Sequence, residues 1–145
     1  MKLIKTPLKN DELISLDEFK LWARIDNDEE GNLLVELLDQ AINFFEIKTN
    51  RVLNRSNFKA TLKNEKVYFA ECDEIKILSG EIKIKTEHNA TCFSGSGEVE
   101  FVCGYEKVPQ MINLWVKNFA LGLYEGRTNS YKNDAILNFY RIKEF

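Results

Sequence analysis

Four carboxylates, Asp26, Asp28, Glu29 and Glu30, stand within five positions of the chain. The run Asp26-x-Asp28-x-Glu30-Gly31 places oxygen donors at alternate positions with glycine sixth, as an EF-hand loop begins. The twelfth position, where such a loop needs a bidentate carboxylate, is Leu37, so helix capping and solvent exposure explain the cluster better than calcium. Cys72, Cys92 and Cys103 are odd in number, widely spaced and accompanied by a single histidine, His88, which suggests neither a disulfide framework nor a zinc set but reduced, packed thiols. Cys103 ends an alternating strand, where a small buried residue is expected. His88 sits beside Glu87 in a polar stretch with no nucleophile or orienting group indicated, and reads as a surface histidine. Gly95-Ser96-Gly97 lacks the third glycine of a dinucleotide fingerprint, and no Gly-Lys-Ser/Thr follows, so it reads as a turn. Lys83 and Lys85 with Phe93 resemble a stacking patch for single strands, but Glu81 and Glu87 dilute its field. These residues assign no catalytic, cofactor-binding or metal-binding site.

Composition narrows the classes further. A chain of 145 residues is of ordinary single-domain size and buries enough surface to fold without staples. No apolar run approaches the roughly 20 residues of a membrane span, and Met1 to Asn10 lacks the apolar core of a signal peptide, so the expected place of synthesis is the cytoplasm. A net charge of −3 gives no basic footprint for holding phosphates, though DNA passing nearby remains compatible with it.

The elements that would position these residues are legible from periodicity. Ser15 begins a Ser-x-x-Glu capping box with Glu18, and Leu16, Phe19, Trp22 and Ala23 follow at helical spacing. After the acidic elbow, Asn27 or Asp28 can cap a second helix carrying Leu33, Leu34, Leu37, Leu38, Ala41, Ile42 and Phe45. Short alternating runs then predict strands at Phe58–Leu62, Lys66–Phe69, Glu74–Leu78, Glu81–Lys85 and Gly97–Val102, with Ser79-Gly80 as a turn. Pro109 opens a third helix whose apolar face runs from Met111 to Tyr124 and which Gly126 closes. Trp22, Trp115 and Phe119 are expected to close the helical core. The apolar segment Ala135–Arg141 must find something to bury it. The expected fold is α+β and mainly helical: a bundle of three main helices (about 15–52 and 108–127), an inserted small antiparallel β element (about 58–103) and an extended or short-helical C-terminal tail (about 129–145), all in one domain.

The order of these pieces resembles the head-tail connector, or adaptor, proteins of long-tailed bacteriophages. The likeness rests on Leu16-Asp17-Glu18-Phe19-Lys20 with Arg24-Ile25-Asp26-Asn27-Asp28-Glu29-Glu30, on Gly104-Tyr105 with Val108-Pro109, on Leu123-Tyr124-Glu125-Gly126-Arg127, and on Leu137-Asn138-Phe139-Tyr140-Arg141. None of these is a catalytic signature.

That resemblance implies a structural virion protein rather than an enzyme, made in the host cytoplasm and placed in the neck. It implies a homo-oligomeric ring, a dodecamer if it follows portal symmetry, between the portal protein and the stopper or tail-completion protein, continuing the DNA channel, with no cofactor and no membrane. Carried over by position, the tail contact with the portal falls on Tyr131, Ile136, Leu137, Phe139, Tyr140 and Arg141. In such a ring the acidic cluster Asp26, Asp28, Glu29 and Glu30 would line or rim the channel, repelling DNA rather than holding it. Removal of residues 133–145 is expected to leave a folded chain that cannot join heads. The rival readings are a stopper or tail-completion protein of the same neck, which usually has more strand, and an unrelated cytoplasmic binding domain.

Overall fold

The computed structural model describes residues 1–8, 12–127 and 134–143, and divides into two units that interleave along the chain. Met1–Asn10, Asn50–Glu106 and Arg141–Phe145 form a unit that carries the strands, whereas Asp11–Thr49 and Lys107–Tyr140 form one that carries the helices.

In the first unit, β1 (Lys2–Pro7), β2 (Ser56–Ala70), β3 (Cys72–Glu87) and β4 (Ala90–Cys103) make one antiparallel sheet in the order β1-β2-β4-β3. The five short strands expected from sequence are pieces of the three long ones. Their joins lie at one level: β2 carries an extra residue between Leu62 and Glu65, opposite Gly97 and Gly95, and β3 another between Ile77 and Ser79. Side chains alternate along a strand, so each extra residue exchanges the two faces. Phe58, Ala60 and Leu62 therefore point into the core before the first bulge, and Val67 and Phe69 after it.

Ser79-Gly80 and Gly95-Ser96-Gly97, expected as turns, are instead where β3 and β4 bend together. Gly80 pairs with Gly97, with φ of 76° and 143°, and a Cβ on either would run into the other strand's backbone, at the carbonyls of Ser96 and Ser79. The bends bring the two ends of β4 together. Ala70 pairs with Ala90 at the start of β4 and Cys72 with Cys103 at its end, although one residue separates Ala70 from Cys72. The Cys72 N–H donates to Thr91 Oγ1 at 3.2 Å across this closure. The curled sheet wraps a core in which the rings of Phe58 and Phe101 lie 5.5 Å apart and those of Phe69 and Phe93 each lie 4.8 Å from Phe101. Ile142 is buried in this same core. The true hairpin turn is His88-Asn89, where both φ values are positive, as a two-residue type I′ loop requires.

In the second unit, α1 (Leu16–Ala23), α2 (Gly31–Thr49), α3 (Gln110–Tyr124) and α4 (Ala135–Tyr140) bury Phe19, Leu34, Leu38, Ala41, Phe45, Ile112, Val116, Ala120 and Leu137. Ser15 Oγ accepts from the Glu18 N–H at 3.1 Å, the expected N-cap, while the Glu18 carboxylate lies 3.5 Å from Lys117 Nζ. Gly126 closes α3 with φ of 71°, and the Arg127 N–H donating to the Gly122 carbonyl at 2.9 Å completes a Schellman motif. The same pattern ends α1, with Arg24 in the left-handed region at φ 59°. Neither Asn27 nor Asp28 caps α2, whose first backbone bond runs from the Leu34 N–H to the Glu30 carbonyl.

The mainly helical expectation is overturned. Among the described residues 40% are strand and 36% helix, in a four-stranded antiparallel sheet and four helices. Bulges break the period-2 signal, so long bent strands read as short ones separated by turns. β1 is exposed along its length and carries no alternation to reveal it.

Candidate assembly interface

The residues expected to meet a partner fall on α4, and Asp134 builds that helix. Its Oδ1 accepts from the N–H groups of Ile136 at 2.9 Å and Leu137 at 3.1 Å, an N-cap for a segment of only six residues. Its Oδ2 accepts from the Trp115 indole N–H at 2.8 Å, which fastens the start of α4 to α3. Trp115 is half-buried in an aromatic stack, 4.9 Å from Phe119, 5.3 Å from Phe45 and 6.1 Å from Phe44 by ring centroids. Trp22 lies against a different set, stacked on Phe19 at 6.2 Å with the Lys117 ammonium over its ring.

Held this way, α4 has an inner and an outer face. Leu137 is buried, and Tyr140 lies 6.1 Å from the Phe45 ring. Ile136 is half-buried, whereas Arg141 is exposed and Phe139 is 74% exposed. Tyr131, the sixth residue expected at a portal contact, lies outside the described residues. The segment thus packs on its own helical unit through Leu137 and Tyr140 and leaves Phe139 exposed. Removing residues 133–145 would take away the buried Leu137 and Ile142, so that truncation disturbs both cores and cannot isolate a docking defect.

The acidic cluster occupies the loop between α1 and α2, with all four side chains exposed. Two have partners. Asp28 accepts from Lys20 Nζ, and that hydrogen bond and charge hold its carboxyl below the ordinary range. Glu30 hydrogen-bonds the Tyr124 phenol at the end of α3 and, as the largest cause, raises that phenol above the ordinary tyrosine value. The elbow is therefore tied to α1 and α3, leaving Asp26 and Glu29 as the members without an assigned structural duty. Lys20, Lys117, Tyr124 and Asp134, which position these surfaces, were not expected from sequence. Asp134 had a readable signal, an aspartate directly before an apolar run.

Among the described residues no group of three or more His, Cys, Asp or Glu is disposed to hold a metal, and no helix is long and apolar enough to cross a membrane.

The sequence profile described as "Phage gp6-like head-tail connector protein" matches residues 13–143, nearly the whole chain. The chain belongs to that family. Its family is one of structural phage connector proteins and not of enzymes. No curated protein matches this connector-family chain. Two solved structures share its fold. One is a chain of "Neck of empty GTA particle computed with C6 symmetry", at 15% identity and TM-score 0.69, with 100% of this chain and 97% of that one covered. The other is a chain of "Virion of native gene transfer agent (GTA) particle", at 14% identity and TM-score 0.70, covering 98% and 97%. Family membership makes this chain a structural head-tail connector protein, and the two structures show that it shares their fold.

Proposed function

We propose that this connector forms a homo-oligomeric ring between the portal and the stopper or tail-completion protein of a tailed phage or related particle, and that α4 docks on the portal. The observation that carries the docking assignment is Phe139, an aromatic side chain left 74% exposed on a short helix whose other face is anchored by Leu137 and Tyr140. Aromatic and arginine side chains dominate interface energies, and the exposed Arg141 follows Phe139 by two positions in the chain. Leu21 on α1, Ile47 on α2 and Met111 on α3 are also exposed large apolar residues, and they supply lateral contact area for neighbouring copies around a ring. The acidic elbow faces the channel in this reading, with Asp26 and Glu29 supplying its repulsive field toward passing DNA. Twelve copies would follow portal symmetry.

The strand content removes one argument against the stopper reading, since strand-rich composition no longer separates the two. Family membership favours the connector.

Light-scattering mass of the chain, alone and mixed with portal rings from the same genome, tests the proposal. Wild type is expected to join the portal, and Phe139→Ala to weaken that binding on the order of tenfold or more with an unchanged melting temperature. A chain that ignores portal rings, or a Phe139→Ala variant that binds as wild type does, would remove the docking role of α4.

A further inference from the structure

Cys72 opens β3 and Cys103 closes β4, and the two are directly opposed in the ladder. Opposed residues of an antiparallel pair have Cα atoms roughly 4.5–5.5 Å apart, inside the roughly 4.4–6.8 Å that a disulfide spans. Both thiols converge on one acceptor, the Ala70 carbonyl, at 3.1 Å from Cys72 Sγ and 3.7 Å from Cys103 Sγ. Both are free thiols, Cys72 half-buried and Cys103 buried. Cys92, also buried, is paired in register with Tyr68 and Lys85, away from this closure.

The surroundings divide the labour between the two sulfurs. Cys103 is drawn below the ordinary thiol range by the hydrogen bond from Cys72, helped by the Gly104 backbone and the charges of Arg51 and Arg55. Cys72 is held well above it by the same hydrogen bond and by burial. Arg55 is itself fixed beside the pair, 2.9 Å from the Asp73 carboxylate.

We infer that Cys72 and Cys103 are a redox-convertible pair, which a small-molecule disulfide such as oxidised glutathione joins into a cross-strand disulfide between β3 and β4. One of the two sulfurs, once deprotonated, attacks the glutathione disulfide, forms a mixed disulfide, and releases one glutathione, which takes up the proton that sulfur lost. The other sulfur, deprotonated in turn, attacks the protein sulfur of that mixed disulfide and expels the second glutathione, which takes up the second proton. Two thiols become one S–S bond, and two electrons and two protons pass to glutathione. The bond would close the loop of β3 and β4 at the point where the curled sheet meets itself. Such a pair stays reduced inside a cell and oxidises outside it. The inference needs only this fold and stands apart from the portal assignment.

The test equilibrates the full chain with glutathione at reducing and at oxidising ratios, counts alkylatable thiols by mass spectrometry after unfolding, and follows the melting temperature. Oxidation is expected to remove two of the three thiols, to link the Cys72 and Cys103 peptides, to leave Cys92 alkylatable, and to raise the melting temperature on the order of 10 °C, reversibly. Cys72→Ser should abolish both changes. Three alkylatable thiols under oxidising conditions, or a disulfide that includes Cys92 or a second chain, overturns the assignment.

Discussion

The Asp134 carboxylate joins two helices with its two oxygens: Oδ2 accepts the Trp115 indole N–H at 2.8 Å from α3, while Oδ1 caps α4. A six-residue helix cannot sustain itself by propensity, so its position depends on this carboxylate and on the burial of Leu137.

Asp134→Ala is expected to cost about 2 kcal/mol, from a lost cap and a lost hydrogen bond to a half-buried indole. Asp134→Asn keeps the capping oxygen but turns an N–H toward the indole N–H, and should cost about half as much. Chemical denaturation gives the magnitudes, and amide exchange at Leu137 and Asn138 shows whether α4 frays. Equal costs for both variants would mean that the cap contributes nothing, and an Asn variant as stable as wild type would mean that the Trp115 bond contributes nothing. Because Trp115 is only half-buried, Trp115→Ala should cost roughly 3 kcal/mol, the low end for a large aromatic, and leave a folded chain.

Gly97→Ala should cost more than about 3 kcal/mol, because its Cβ meets the backbone carbonyl of Ser79 rather than a side chain that can move. Gly126→Ala, at φ 71° with open space around it, should cost only about 1 kcal/mol. Thermal melts of the pair separate steric collision from left-handed strain alone. Similar melting temperatures for both would mean that β3 and β4 are not in close approach at the bend.

Arg24 ends α1 in the left-handed region with an exposed side chain. Arg24→Gly is expected to stabilise the chain by about 1 kcal/mol, seen as a higher denaturant midpoint with unchanged slope. A loss of stability would show that the guanidinium holds a contact worth more than the strain.

Lys20 holds the folded Asp28 carboxyl below its ordinary value of 3.8. Its contribution to stability is therefore fully present above that value and lost as pH falls through the lower folded value. The melting temperature of Asp28→Asn should lie below wild type at about pH 6, and the gap should close in acid and shrink in high salt. A gap that persists at about pH 2 would point to a role for the Asp28 side chain other than its charge.

The helices were readable from their apolar stripes, with local signals at Ser15 before α1, Pro109 at the start of α3 and Gly126 at its end, although the cap expected for α2 at Asn27 or Asp28 is not made. The strands were readable only in pieces. Phe58–Leu62 and Lys66–Phe69 alternate correctly within themselves, but the extra residue between Leu62 and Glu65 shifts the parity, and no local rule distinguishes a bulge from a turn there. Gly80 and Gly97 looked like turn formers because a sharp bend and a turn both need a residue without a side chain. At the candidate interface, Phe139 and Arg141 were named through the family resemblance, whereas the partners of Asp28, Glu30 and Asp134 come from elements distant in the chain, which no spacing reveals.

Ile142 lies in a core otherwise built from residues 58–103, while α1 and α2 wait for α3 and α4 to complete theirs. During synthesis from the amino end, the helices α1 and α2 emerge first and must wait for the whole sheet to be made before their partners arrive. The sheet in turn lacks its last core side chain until those partners have passed. The helical core therefore completes only after synthesis has passed through the sheet, and the intervening interval exposes the apolar faces of α1 and α2 to capture by neighbouring chains.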